Sequence, residues 1–270
     1  MTTVQAIVLG IVQGLAEFLP ISSSGHLELT RWLFEWDFGS EEIEQAFDVA
    51  VHIGTLLGVL VYLRDDIARY VRAGIGALLK PETRSTTDAR VAWLLIASMI
   101  PAGITGVVLK DVLSSDRHWL IAVMLIVFGL VLLWADRLPG DRKTDDFGLS
   151  DALLMGVGQA LALQPGVSRS GATMTVGRII GFDRESAARV AFLMSVPIIA
   201  GAGAYQALDV TVPSELRGPF LWGMASSAVT GYLAVWGTMT LIKTRTFTPF
   251  VIYRVIAGVA VLIILATGWR

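Results

Sequence analysis

The stretch Gln13-Gly14-Leu15-Ala16-Glu17-Phe18-Leu19-Pro20-Ile21-Ser22-Ser23-Ser24-Gly25-His26 decides how this chain folds. It ends an apolar run, residues 4–20, with a proline, three serines and a glycine, and another short helical run follows. The stretch Pro165-Gly166-Val167-Ser168-Arg169-Ser170-Gly171-Ala172-Thr173 ends the apolar run 149–164 in the same way. In hydrocarbon, backbone that leaves a helix must find partners in protein or in a wet cavity. Both stretches therefore read as re-entrant helix–loop–helix hairpins. They align without a gap at an offset of 146 residues: Gly10, Gln13, Leu15, Ala16, Ser22, Ser24 and Gly25 recur as Gly156, Gln159, Leu161, Ala162, Ser168, Ser170 and Gly171. Small residues recur in all membrane helices, but a shared Ser-x-Ser-Gly at one register is a stronger sign of duplication.

Composition agrees with a membrane setting. The chain has 270 residues, 54% hydrophobic and 16% charged, with mean hydropathy +0.66. Soluble chains average about 25% charged residues, so this one cannot cover a water-facing surface, nor is it disordered. A net charge of −2 gives no basic surface for nucleic acid. The absence of cysteine removes disulfides, thiolate catalysis and zinc-thiolate sites. Three scattered histidines, His26, His52 and His118, are too few for a histidine-only metal cage.

Outward from the hairpins, six runs are candidate spans: residues 47–63, 91–109, 119–135, 190–208, 218–242 and 249–269. The expected fold is an all-α polytopic membrane protein, with six transmembrane helices plus two re-entrant hairpins in an inverted repeat. The halves run from 1 to 135 and from 149 to 270, joined by a cytoplasmic linker, 136–148. Three spans after each hairpin invert the second copy, and paired broken helices in inverted halves point to a site near the pseudo-two-fold axis. The 64–90 loop carries Arg64, Arg69, Arg72, Lys80, Arg84 and Arg90. The linker carries Arg137, Arg142 and Lys143, and the turn before the last span carries Lys243 and Arg245. The alternate loops hold only Lys110 and Arg117, and Arg217. The richer loops are therefore expected in the cytoplasm, with both termini outside, the first hairpin entering from outside and the second from the cytoplasm. The 64–90 charges read as a solvated face touching anionic lipid.

Ionisable groups at membrane depth are costly and mark sites. Glu17 lies three residues before Pro20 in an apolar helix. It reads as a general acid/base or divalent-metal ligand, or else as the structural counter-ion of an arginine. Gln13 is one turn earlier on the same face. Ser22, Ser23 and Ser24 supply hydroxyls, at least one of which suits an N-cap. With His26 beside them they form a nucleophile–base set. In the second hairpin Arg169 offers a planar fork suited to phosphate, flanked by Ser168, Ser170 and Thr173. The helix starting after Gly171 presents free N–H groups to an anion. Juxtaposed, the hairpins suit a phosphate ester, one attacking and one holding charge. His52 reads as a hydrogen-bonded packing residue, Asp48 as a solvated group near a span end, and Arg254 as a structural partner, a snorkelling side chain or a residue that supports the site from behind its direct contacts.

The two motifs, with Pro249-Phe250-Val251-Ile252-Tyr253-Arg254 near the end, resemble the undecaprenyl-pyrophosphate phosphatase family of the bacitracin-resistance (BacA/UppP) type over essentially the whole chain. The resemblance implies a bacterial inner-membrane enzyme, its site open to the periplasm, that converts undecaprenyl diphosphate to the monophosphate carrier of envelope polymers. It implies a divalent cation, Mg2+ or Ca2+, at Glu17. It assigns catalysis to Glu17, Ser23, His26 and Arg169, and substrate binding to Gln13, Ser22, Ser24, Gly25, Ser168, Ser170, Gly171 and Thr173. Some members carry a second glutamate where this chain has Gln13, so any mechanism needing two acids one turn apart is in question. Expected partners are the lipid substrate and membrane lipid, with a homodimer compatible and no nucleic acid. On architecture alone a secondary transporter or lipid flippase fits equally well. The serine–histidine pair beside a carboxylate is what a transporter does not need.

Overall fold

The computed structural model describes residues 1–108, 117–206 and 212–269. Leu109, Leu208 and Lys110, at the ends of two expected spans and in one outer loop, lie outside the described residues. The fold is all-helical among the described residues, in keeping with a polytopic membrane protein. Helices α1 (Thr3–Phe18) and α2 (Ser23–Phe34) form the first hairpin, and α8 (Leu149–Leu161) and α9 (Arg169–Ile179) the second. Between them lie α3 (Glu41–Tyr62), α4 (Arg64–Leu79), α5 (Thr87–Ala97), α6 (Met99–Val108) and α7 (His118–Asp136). After the second hairpin come α10 (Arg184–Gln206), α11 (Arg217–Ile242) and α12 (Thr248–Ala266).

Among the described residues, five stretches are long and apolar enough to cross a membrane: α3, Thr87–Val108, α7, α10 up to Tyr205, and α12. Thr87–Val108 is one span broken at Ser98, just before Pro101, which cannot donate to the ladder. The sixth expected span, α11, is 26 residues long, but glycine, serine and threonine dilute its apolar character. Gly223, Ser227, Gly231 and Thr238 lie on its buried face. α11 lies between α1 and α3, and the packing is backbone against backbone: a Cβ on Gly14 would fall 1.9 Å from Thr230 Oγ1 and 2.6 Å from the Ser227 carbonyl oxygen. On the outside, Ile104, Val107, Leu130, Val229 and Ile256 stand exposed, a band that fits hydrocarbon and not water.

The expected 64–90 loop is a correction. Its first part is α4, an amphipathic helix whose buried face is Tyr70, Gly74 and Ala77 and whose outer face exposes Val71, Ile75 and Leu78. The three basic connections do meet at one end of the bundle: Arg90 Nη2 donates to the Asp145 carbonyl (2.8 Å), and the N–H of Phe247 donates to Asp136 Oδ2 (3.0 Å). Since α8 starts at that end and α11 finishes there, and α1 runs parallel to α11 (Gly10 faces Gly223, Gly14 faces Ser227), α1 and α8 enter from opposite ends. The helix pairs α3–α10 and α7–α12 close the bundle between the hairpins.

Candidate active site

Both hairpins break at the same register. Ser22 and Ser168 sit at the N-termini of α2 and α9, each with a left-handed φ, +79° and +77°. The two breaks brace each other. Ser22 Oγ accepts from the Gly166 N–H at 3.0 Å, and Ser170 Oγ donates to the Leu19 carbonyl at 3.1 Å. Gly25 lies against Gly166, its notional Cβ 3.1 Å from that nitrogen. Gly166 itself has φ +94° and lies against the Ile121 carbonyl, so only glycine fits. Arg254 joins the tips from α12. Fully buried, it donates to the carbonyls of Pro20 (3.0 Å), Gly166 (2.9 Å), Val167 (3.0 Å), Met124 (3.3 Å) and Leu125 (2.9 Å). The Pro20, Gly166 and Val167 carbonyls lie at the breaks and lack a helix partner, whereas those of Met124 and Leu125 belong to the interior of α7. Arg254 is thus the structural partner that the sequence suggests; it does not snorkel.

The crossing gathers reactive groups around Glu17, which is 4% exposed. Its Oε2 accepts from Gln13 Nε2 at 2.9 Å and from Ser23 Oγ at 2.5 Å. Its Oε1 is paired with the Arg169 guanidinium of the other hairpin. His52 Nε2, on α3, is 3.5 Å from Oε2. Ser23 and Arg169 are both part-exposed, so a ligand can reach them from outside. Gln13 Oε1 is buried with no hydrogen-bond partner among the described residues. An orphaned amide oxygen beside a carboxylate is a donor set for a hard divalent cation.

The other expected residues divide. Ser168 Oγ accepts from the Gly171 N–H at 3.1 Å and so caps α9. Thr173 is fully buried and donates to the Arg169 carbonyl at 2.8 Å, holding the helix that carries the arginine. Ser24 is exposed. His26 stands beside the cluster. Its Nδ1 donates to the Ser22 carbonyl (2.7 Å), and its Nε2 meets Tyr253 Oη (2.8 Å), the rings stacked 5.5 Å apart. A ring that donates from Nδ1 accepts at Nε2 when neutral, so both nitrogens are occupied. His52, expected only as a hydrogen-bonded packing residue, does bond the Asp48 carbonyl but also faces Glu17, and Tyr253, given no role by the sequence, is a site neighbour through His26. Asp48 is no loose solvated group: Arg31 grips it with two bonds of 3.1 and 2.9 Å.

The family model described as Bacitracin resistance protein BacA matches residues 6–260. Among curated relatives, an undecaprenyl-diphosphatase of a Nocardioides species is 47% identical over 270 residues, covering 98% of this chain and 97% of the relative. Undecaprenyl-diphosphatases of Pelotomaculum thermopropionicum and Desulforudis audaxviator are 42% and 44% identical, each with 98% of both chains covered.

Proposed function

This chain belongs to the bacitracin resistance protein BacA family, and on that premise we propose that it hydrolyses undecaprenyl diphosphate to undecaprenyl phosphate and inorganic phosphate. One observation carries the reading: a carboxylate, a hydroxyl and a guanidinium from two oppositely entering hairpins share one hydrogen-bonded cluster inside an apolar bundle. A transporter needs an anion site. It has no use for a serine hydroxyl 2.5 Å from a buried carboxylate.

In the proposed chemistry Arg169 turns from Glu17 to the terminal phosphate and holds its charge through paired N–H bonds. Ser23 Oγ attacks the terminal phosphorus and its proton passes to Glu17, the geometry of a nucleophile with its base. The anhydride P–O bond breaks and undecaprenyl phosphate leaves. Glu17 gives up that proton as undecaprenyl phosphate departs; water then attacks the phosphoserine phosphorus, Glu17 takes the water proton and returns it to Ser23 Oγ as the Oγ–P bond breaks. Gln13 aligns the carboxylate and cannot take a proton itself. His26, held between Ser22 and Tyr253, keeps the first break in shape beside Ser23. A divalent cation, Mg2+ or Ca2+, would be held by Glu17 and Gln13 Oε1 and would offset diphosphate charge.

We further place the protein in the bacterial inner membrane with six crossings: the arginine-rich end in the cytoplasm, the hairpin site open to the periplasm, and α4 in the cytoplasmic headgroup layer. Recycling of the carrier lipid in this way would serve peptidoglycan synthesis and confer bacitracin resistance. Phosphate release from undecaprenyl diphosphate by the purified protein, with and without chelator, tests the activity. Release that is absent in both would overturn it.

A further inference from the structure

We infer that His52 is a ligand of the divalent cation at Glu17. The inference rests on the cation-dependent reading above and concerns a residue to which that reading gives no part.

Three observations converge on the imidazole. His52 Nε2 lies 3.5 Å from Glu17 Oε2. Two donors each about 2.1 Å from one ion are roughly 3.0 Å apart at octahedral and 3.4 Å apart at tetrahedral angles, so this spacing is close to that of a shared ion. The other ring nitrogen, Nδ1, donates to the Asp48 carbonyl at 2.7 Å. That fixes the tautomer with the Nε2 lone pair toward Glu17, the arrangement in which metal-binding histidines are held. The support is itself anchored, because Arg31 grips the Asp48 side chain and Thr55 Oγ1 donates to the His52 carbonyl at 2.7 Å.

The third observation is Gln13. A neutral amide next to Glu17 leaves one carboxylate to balance a divalent ion, and its Oε1 is buried without a partner among the described residues. Glu17 Oε2 and His52 Nε2 then form a mixed oxygen–nitrogen pair drawn from α1 and α3, and Gln13, one turn before Glu17, has an amide oxygen left to join it. His26 cannot take this role, since Ser22 and Tyr253 occupy both of its nitrogens. A nitrogen donor favours first-row transition ions relative to Mg2+ and Ca2+, so the site should accept Mn2+ readily.

The test uses Mn2+ alone as probe, with the purified full chain in lipid nanodiscs. Electron spin-echo modulation should show one directly bound imidazole nitrogen in the wild type, and growth on 15N-histidine should change its frequency. His52→Gln should lose that modulation and bind Mn2+ at least about tenfold more weakly, since even outer-shell partners of metal ligands are worth 10- to 100-fold. His26→Gln should keep it. If His52→Gln does not fold, the labelled wild type and His26→Gln decide together. No Mn2+ binding by the wild type, bound Mn2+ without nitrogen modulation, or modulation that survives His52→Gln overturns the inference. Phosphate release by the same preparations reports separately: hydrolysis without nitrogen modulation removes the ligand and leaves the phosphatase, and modulation without hydrolysis does the reverse.

Discussion

Ser22 and Ser168, one at each hairpin break, share a left-handed backbone although neither is glycine. That conformation costs an ordinary residue roughly 1–2 kcal/mol. Each serine is retained for its hydroxyl, which accepts an N–H that would otherwise be orphaned, that of Gly166 or of Gly171. Glycine in either place loses that hydrogen bond and relieves the strain; alanine loses the hydrogen bond and keeps the strain. Ser22→Gly should therefore melt higher than Ser22→Ala, by the equivalent of about 1 kcal/mol. Thermal unfolding in detergent measures the order, and an alanine variant as stable as the glycine variant refutes it.

Arg169→Lys keeps the charge and loses the planar fork. Phosphate release should fall at least tenfold, about 1.4 kcal/mol of barrier. Near-wild-type rates would make Arg169 a counter-ion to Glu17 and nothing more.

Ser23→Ala should be close to inactive. Losing one donor to a developing charge costs about 10²–10³ in rate, whereas losing the nucleophile removes nearly all catalysis. Ser24→Ala, at an exposed position, should be mild. Substrate labelled in its terminal phosphate should leave label on the wild-type protein after quenching. A few per cent of activity left in Ser23→Ala, with no label trapped, would reduce Ser23 to a phosphate donor and leave attack to water.

Arg254→Lys should destabilise by about 2–4 kcal/mol. A lysine places its three donors on one nitrogen and cannot span the Pro20, Gly166 and Val167 carbonyls that the planar fork now serves, and each buried carbonyl left bare costs about 1–3 kcal/mol. Unfolding midpoints and phosphate release should fall together. A stable but inactive variant would move Arg254 into substrate binding.

Glu17, Ser23 and Arg169 are legible in the sequence because polar groups at membrane depth stand out against apolar surroundings. His52 is not. Within α3 it resembles any histidine bonded to a carbonyl one turn back, and its second face has meaning only once α1 and α3 are drawn together by the glycines and serines of α11. The same small residues make α11 look less like a span than it is. The charges from Arg64 to Arg90 hide α4, because they obscure the apolar period through Ile67, Tyr70, Gly74 and Ala77. Arg254 is visible as a charge in an apolar run, but only the meeting of two breaks tells which carbonyls need it.

The placing of Arg254 on α12 has a consequence for biogenesis. The groups that do chemistry are all made by residue 169, yet the donor that ties their two loops together is 85 residues further along the chain. At roughly 5–20 residues per second of synthesis, it emerges about 4–17 s later. Until α12 is inserted, the Pro20, Gly166 and Val167 carbonyls lack the side-chain donor that serves them among the described residues. The nascent protein should thus pass through the membrane-insertion machinery as a set of inserted helices without a working centre. Activity then switches on with the arrival of the final segment, and fragments released early would be harmless to the lipid pool.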